Sequence, residues 1–386
     1  MKNNRKSTVA IVKVQENDIE SALDQLLDLL SGMESYVLPF QTVLIKPNWV
    51  SGQPYQTGAV THPRLVEACV KQVLRCGVKQ IYIGDSSMVG LKTEEAIENS
   101  GLKALESRRV KLVDFKKSEY ISVGIPNALR YRRLAFPREL MEAQTVINLP
   151  VMKTHDYLPA TLALKNMKGV LRDVDKRRFH TSGLEEGIID TNRIALGDLT
   201  IMDGIIGMEG NGPLHGTPAD LRLLIGSADT LAAEVVALQV MGLEELNPPY
   251  LDMAYEAGFG ERDMAHIEVT GERIEAVRRR FVRSSQAGQG LAGGKITFQT
   301  EKACSTCRFI AEQISQELGR KPPKIAEKVN ICCGGGLYTE NDGITIGAGK
   351  CCEKNKGRYH RYIPGCPPRK KDIISVISEF EEIYVS

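Results

Sequence analysis

Seven of the chain's nine cysteines lie beyond residue 300, as Cys304-x-x-Cys307, Cys332-Cys333, Cys351-Cys352 and Cys366 followed by two prolines. Thiolates bind soft metals, and the two residues inside a C-x-x-C let both sulfurs face one centre. Intervals of 24, 17 and 13 residues separate these groups, and Gly334 and Gly365 beside them suit loops wrapped around a metal. A four-cysteine zinc ribbon normally repeats the C-x-x-C, and no second copy exists here. An iron–sulfur cluster, first a [4Fe-4S] cubane, is therefore the leading expectation, with zinc and inert or disulfide-forming thiols as alternatives. A cubane takes four of the seven: Cys304, Cys307 and Cys366 first, plus one member of either pair. Cys69 and Cys76 stand apart at i, i+7 of a predicted helix and read as buried apolar residues.

A second set of polar residues follows apolar runs in the first two thirds of the chain. Leu44-Ile-Lys-Pro-Asn-Trp49, Ile83-Gly-Asp-Ser-Ser87 and Leu149-Pro-Val-Met-Lys-Thr-His155 place Lys46, Asn48, Asp85, Lys153 and His155 where strands run out. Leu164-Lys-Asn-Met-Lys-Gly169 adds Lys165 and Lys168, and a glycine-rich stretch from Ile201 to Pro213 adds Asp203, Glu209 and Asn211. Lysines at Lys46, Lys153, Lys165 and Lys168 suit an anionic substrate, and His155 offers a proton near neutral pH. Asp85, Asp203 and Glu209 would orient those groups or bind a hard cation. His155, Lys153 and Asp203 are the catalytic candidates; Lys46, Asn48, Asp85, Lys165, Lys168, Glu209 and Asn211 are the substrate-binding ones. Each has a plainer reading as a solvated charge or a turn residue.

Taken together, the Lys-Pro-Asn strand end, Thr61-His-Pro, Gly-Asp-Ser, Lys-Thr-His with Leu-Lys-Asn-x-Lys-Gly, and the Asp-Gly…Met-Glu-Gly…Gly-Pro stretch resemble the DUF362 family over about residues 40–245. Many of its members pair this domain with iron–sulfur segments, often ferredoxin-like, so the resemblance implies iron here too. No C-x-x-C-x-x-C run of the ferredoxin kind is present. Cys351-Cys352 and Ile363-Pro-Gly-Cys-Pro-Pro-Arg369 resemble elements of the cluster-binding small subunits of hydrogenases and respiratory complex I. Cys332-Cys333-Gly334 looks like the CCG element of heterodisulfide-reductase-type proteins, with different downstream spacing.

These residues need a frame. Apolar runs at Thr8–Val14, Thr42–Ile45, Gln80–Gly84, Val110–Asp114 and Thr145–Leu149 predict strands, and Ile19–Leu30, Pro63–Cys76 and Thr93–Ser100 predict amphipathic helices between them. Leu196–Asp203, Leu221–Gly226, a helix Leu231–Met241 and a strand His266–Thr270 continue the pattern. Strands apolar throughout and alternating with helices predict an α/β fold with a mostly parallel sheet covered on both faces, whose ligands sit at the carboxyl ends of the strands. The expected organisation is an α/β domain over 1–275, a linker over 276–297 rich in serine, glycine and glutamine, and a small cysteine-rich module over 298–386.

The 50 basic and 48 acidic side chains leave a net charge of +2, which argues against a polyanion-coating protein and so against nucleic acid as a partner. No run is apolar enough for a membrane span, and no export signal is visible, so reduced thiols and a cytoplasmic setting are expected. No phosphate-binding loop, nucleophile elbow or H-E-x-x-H helix occurs, which lowers hydrolase and zinc-protease readings. The expectation is a redox protein whose C-terminal cluster takes low-potential electrons from a ferredoxin-like donor and passes them to a small anionic molecule in the cleft. The rivals are a non-catalytic iron–sulfur carrier or assembly factor and a zinc-stabilised acid/base enzyme.

Overall fold

The structure is a computed structural model that describes residues 6–155, 158–283, 295–300, 303–320, 323, 325, 327–334 and 343–382. The chain divides into two compact units, residues 1–284 and 285–386. Half of the linker expected over 276–297, residues 284–294, lies outside the described residues. At its near edge Phe281 is buried in the first unit, its amide donating to Met241 O at 2.8 Å, and at its far edge Ile296 opens a strand.

The first unit's strands are β1 (Ser7–Lys13), β2 (Thr42–Lys46), β3 (Gln80–Asp85), β4 (Val110–Asp114), β5 (Tyr120–Gly124), β6 (Arg133–Pro137), β7 (Thr145–Asn148), β8 (Val151–Thr154), β9 (Ala160–Thr161), β10 (Leu199–Asn211), β11 (His215–Ser227) and β12 (Ile267–Gly271). Ten of them form one sheet, ordered β12-β1-β11-β10-β7-β2-β3-β4, with β8 beside β10 and β9 beside β8; β5 and β6 form a separate hairpin. The pairs from β4 through β10 are parallel, whereas β11 runs antiparallel to both β10 and β1.

Period-2 alternation explains why both sheet faces are covered. Val9 and Ile11 of β1 join one core with the helices Leu184–Ala195 and Thr230–Met241; Ala10 and Val12 join another with Ile19–Leu29 and Pro63–Arg75. A sheet apolar on both sides must be sandwiched between helix layers. In chain order β2, β3 and β4 step outward one way, while β7 is placed on the other side of β2. The strand order therefore reverses between β2 and β7, the position where open α/β sheets bind ligands at their carboxyl edge.

The second unit has more regular structure than cysteine-bearing loops would suggest. Strands β13 (Ile296–Gln299), β14 (Val329–Cys333), β15 (Ile344–Ala348) and β16 (Arg361–Ile363) make an all-parallel sheet in chain order. Its core joins Val329, Ile331, Cys333, Ile344 and Ile346 to Ala311 and Ile314 of the helix Ser305–Arg320 and to Ile373 and Ile377 of the helix Lys370–Glu382. Both central strands are buried at every position, including the polar Asn330 and Thr345 that alternate with their apolar residues. Gly335 and Gly336 of the Cys-Cys-Gly-Gly-Gly stretch lie outside the described residues.

Candidate functional site: a lysine-rich sheet edge and a thiol-rich sheet edge

Lys46 ends β2 and Asn148 ends β7, and the two are register partners across the point where the strand order reverses. Lys46 is fully buried and donates to Asp85 Oδ1 at 2.8 Å; Asp85 ends β3, and its other oxygen accepts from the Trp49 amide at 2.6 Å. A buried ion pair survives when further hydrogen bonds support it, and Lys46 also donates to Pro47 O at 3.1 Å. Burial still lowers the Lys46 pKa, against the opposing pull of Asp85. Gly169 closes over this pair: a Cβ there would stand 1.9 Å from Asp85 Oδ1, so the turn after Lys168 must be glycine.

From β8, the equally buried Lys153 donates to Asn48 Oδ1 at 2.9 Å and to Ala59 O at 2.6 Å. An ammonium can only donate, so Asn48 turns its oxygen toward it and its amide nitrogen outward to Asn166 Oδ1 at 2.6 Å. Asn166 then donates to Asn148 at 2.7 Å, and Asn148 to Ala163 O at 3.0 Å. One lysine thus orients three amides in series. Burial lowers the pKa of Lys153 to about 7, with Asp85 opposing and Lys46 adding to the fall.

His155, next along, accepts from the Leu158 amide through Nδ1 at 3.1 Å. Burial pushes its pKa well below 6.5, reinforced by Lys165, His180, Lys168 and Lys153. Burial and these cations therefore favour the neutral imidazole. The physical reason is the company it keeps: the sequence showed a histidine after a strand, not the cations folded around it.

The helix Asp173–Ser182 supplies two residues that the sequence reading left out. Lys176 donates to Ser86 O at 2.8 Å, Ser86 Oγ at 2.5 Å and Ser87 O at 3.0 Å; His180, one turn on, lies 2.6 Å from Lys168 Nζ through Nε2. Their i, i+4 spacing on one helix was the available signal. Ser86 Oγ also donates to Gly169 O at 2.6 Å, tying the Gly-Asp-Ser turn to the Lys-Gly turn. Buried Glu234 accepts from Tyr250 at 2.6 Å and from the Leu164 amide at 2.8 Å, holding the start of the segment that carries Lys165 and Asn166.

Lys46, Asn48, Asp85, Lys153, His155, Lys165 and Lys168 thus gather at one sheet edge. The remaining three candidates have other duties. Asp203 accepts from the amides of His62 at 2.6 Å and Ile205 at 3.0 Å, and burial raises its pKa to about 6. Glu209 holds Arg279 at 2.6 Å and the Val282 amide at 3.0 Å, and Asn211 pairs with His215 at the end of the β10–β11 ladder. A cavity of about 490 Å³ lies at the opposite, amino edge of the sheet, where Asp229 is already taken up by Ser7 and by the amides of Ala232 and Glu261.

In the second unit every strand delivers cysteine at its carboxyl end. Cys304 and Cys307 follow β13 at the start of the helix Ser305–Arg320, Cys332 and Cys333 end β14, Cys351 and Cys352 follow β15, and Cys366 follows β16. Backbone bonds from Gly349 to Ile363 O at 2.8 Å and from Lys350 to Gly365 O at 2.7 Å lash the last two loops together. All nine cysteines of the chain are thiols.

Neighbouring cysteines part company because successive strand residues point to opposite faces. Cys333 joins the main core with Cys307, and Cys304 packs against that core; Cys332 and Cys352 pack with Tyr359 in a separate cluster. Cys304, Cys307, Cys333 and Cys351 interact electrostatically in every pairing, while Cys352 and Cys332 act on Cys333 ahead of Cys304 and Cys351, and Cys366 is the foremost thiol acting on Cys351. The hydrogen bond with Cys304, then burial, raises the Cys307 pKa; burial raises that of Cys333 and takes that of Cys351 to about 11. Thiols held protonated in this way lose their protons to a metal, which couples binding to proton release.

Among the described residues, no three histidine, cysteine, aspartate or glutamate side chains form a group suited to one metal ion. A lone tetrahedral zinc would hold its sulfurs about 3.8 Å apart, given Zn–S bonds of about 2.3 Å. In a cluster each thiolate has its own iron, which spreads the sulfurs more widely.

Comparison with known proteins bears on the first unit. The sequence profile of DUF362, a domain of unknown function, matches residues 43–239. A thylakoid-associated protein of Synechocystis is 31% identical over 251 residues, covering 63% of this chain and 77% of its own length. Among solved structures, the lactate racemase apoprotein from Thermoanaerobacterium thermosaccharolyticum superposes with a TM-score of 0.39 at 12% identity, over 61% of this chain and 58% of that one. The chain therefore spans less than two thirds of that structure. Among the described residues no helix is long and apolar enough to cross a membrane.

Proposed function

This chain belongs to the DUF362 family, and from that premise we propose that it is an iron–sulfur-dependent redox protein, a reductase acting on a small anionic molecule at the lysine-rich sheet edge. The observation that supports this most is the gathering of four mutually interacting thiols, Cys304, Cys307, Cys333 and Cys351, from three separate segments at the carboxyl edge of one small parallel sheet. Those four would hold a [4Fe-4S] cluster, with Cys366 beside them. When bound, such a centre supplies electrons one at a time at low potential, matching a ferredoxin-like donor. A cytoplasmic setting, which keeps thiols reduced, suits it.

The chain's own residues supply binding and protons. Lys46 is held in an ion pair with Asp85, which fixes that corner of the cleft without a net charge. Lys153, with a pKa of about 7, exists in both protonation states near neutral pH and is the proton donor, in place of the neutral His155. The Asn48–Asn166–Asn148 chain fixes its direction.

The test is anaerobic purification with iron, acid-labile sulfide and EPR analysis of the reduced protein. About four irons and four sulfides per chain are expected. Colourless protein carrying stoichiometric zinc and no sulfide overturns the reading. Candidate anions are then screened for reoxidation of the reduced centre; Lys153→Ala should abolish it with iron content unchanged, and a centre that no anion reoxidises marks a carrier instead.

A further inference from the structure

Positive charge in the second unit is concentrated beside its thiols. Between Lys350 and Lys371, eight of 22 residues are lysine or arginine against one acidic residue, Glu353, although the whole chain carries only +2. Three of the eight are matched: Arg361 pairs with Glu379 at 3.3 Å, Arg369 with Asp372 at 2.8 Å and Lys370 with Glu317 at 2.6 Å. Of the others, Lys350, Lys354, Lys356 and Arg358 are exposed and pair with no carboxylate among the described residues. All four belong to the short helical turns Lys350–Arg358 that follow the carboxyl end of β15. Four cations within nine residues repel one another, and a negatively charged partner removes that repulsion.

The same turns carry Cys351, and the backbone bonds from Gly349 and Lys350 to Ile363 and Gly365 hold them against the loop that carries Cys366. Cys351 and Cys366 are only half-buried, so a centre held there comes near the surface beside these cations. Among the described residues of this unit there is no exposed large apolar side chain. Stable attachment to a lipid surface takes inserted apolar groups as well as cations, so the chemistry favours an acidic protein over a membrane. We propose that Lys350, Lys354, Lys356 and Arg358 form the docking surface for a small acidic one-electron carrier of the ferredoxin class. This rests on the iron half of the proposed function: one electron passes from the carrier's reduced iron–sulfur centre to the chain's own, oxidising the first and reducing the second, with no bond made or broken.

Isothermal titration calorimetry of the anaerobically prepared full chain with an oxidised plant-type two-iron ferredoxin tests it. A dissociation constant below about 100 μM is expected at about 20 mM salt, weakening by about tenfold or more at about 200 mM. Lys354→Glu with Lys356→Glu and Arg358→Glu should weaken low-salt binding by about tenfold or more. An equal change of charge at exposed positions of the first unit, Arg108→Glu with Arg109→Glu and Lys111→Glu, should leave binding unchanged. The proposal fails if ferredoxin does not bind at about 100 μM, if the two sets of substitutions act alike, or if the chain binds vesicles of phosphatidylglycerol and phosphatidylcholine and not ferredoxin. Should the charge reversals not fold, Lys354→Gln with Lys356→Gln and Arg358→Gln takes their place, and wild-type affinity in that folded variant overturns the proposal. Calorimetry reads association rather than reduction. An iron-loaded chain that ignores ferredoxin therefore removes this surface and leaves the iron reading standing, whereas an iron-free chain that binds it through these residues does the reverse.

Discussion

Both units place their reactive side chains at the carboxyl edge of parallel strands, yet the two edges are made differently. In the first unit the edge is hard and charged, and its groups are held by oxygen acceptors of the protein: Lys46 by Asp85, Lys153 by Asn48 and Ala59, Lys176 by the Gly-Asp-Ser turn. In the second the edge is soft, its thiols packed into apolar surroundings that keep them protonated. A lysine can be buried complete with hydrogen-bond partners before any ligand arrives. A thiol is a weak donor and acceptor, and its stronger chemistry begins only when a metal displaces its proton. The first edge is thus preorganised by the protein, whereas the second is finished by what it binds.

The sharpest way to break that contrast is at adjacent residues of β14. Cys333→Ser should abolish iron and sulfide incorporation while Cys332→Ser retains both, as read by metal analysis of anaerobically prepared protein. Equal loss from both substitutions would undo the division of the thiols between two faces. Next in size is Asp85→Ala, which leaves Lys46 buried without its counter-charge and the Trp49 amide without its acceptor. It should lower stability by about 3–5 kcal/mol in urea unfolding. Gly169→Ala forces a methyl group against the same carboxylate and should cost about 1–3 kcal/mol, seen as a lower melting temperature with iron content unchanged.

The remaining effect depends on pH. Lys153 has a folded pKa of about 7 against 10.5 for the ordinary group. Between those values the unfolded chain binds the extra proton, so stability rises with pH across that window, by at most about 1.4 kcal/mol per pH unit. Below about pH 7 both states are protonated and the slope vanishes. Lys153→Met should remove this contribution, so wild type minus variant, followed by chemical denaturation from pH 7 to 10, should slope upward. A flat difference would mean that Lys153 keeps its charge when folded, and the first edge would then be less desolvated than its burial implies.

Much of the first unit was legible in the chain itself. The strand runs Thr42–Ile45 and Val110–Asp114 and the helices Ile19–Leu30 and Pro63–Cys76 agree with the observed elements to within a residue at each end, because continuous apolar runs and 3.6-residue periodicity survive in any parallel α/β context. Lys46 and Asp85 could be picked out for the same reason, as polar residues that close apolar strands. The strand expected at Leu221–Gly226 is the second half of β11, but its antiparallel pairing, the β5–β6 hairpin and the four-stranded sheet of the second unit were not read from the sequence, because pairing direction depends on partners far along the chain and strands of three to five residues carry little periodic signal.

The sequence by itself determined the inventory: which strands are apolar throughout, which residues follow them, and that seven thiols crowd the last 90 or so residues. Only the tertiary structure decided the company each group keeps. It set His155 among cations, gave Asp203 two backbone amides to hold, brought Lys176 from a distant helix onto the Ser86 turn, and set Cys332 and Cys333 on opposite faces. The physical reason is that a strand's period is local, whereas burial and the field of neighbouring charges come from segments far apart along the chain.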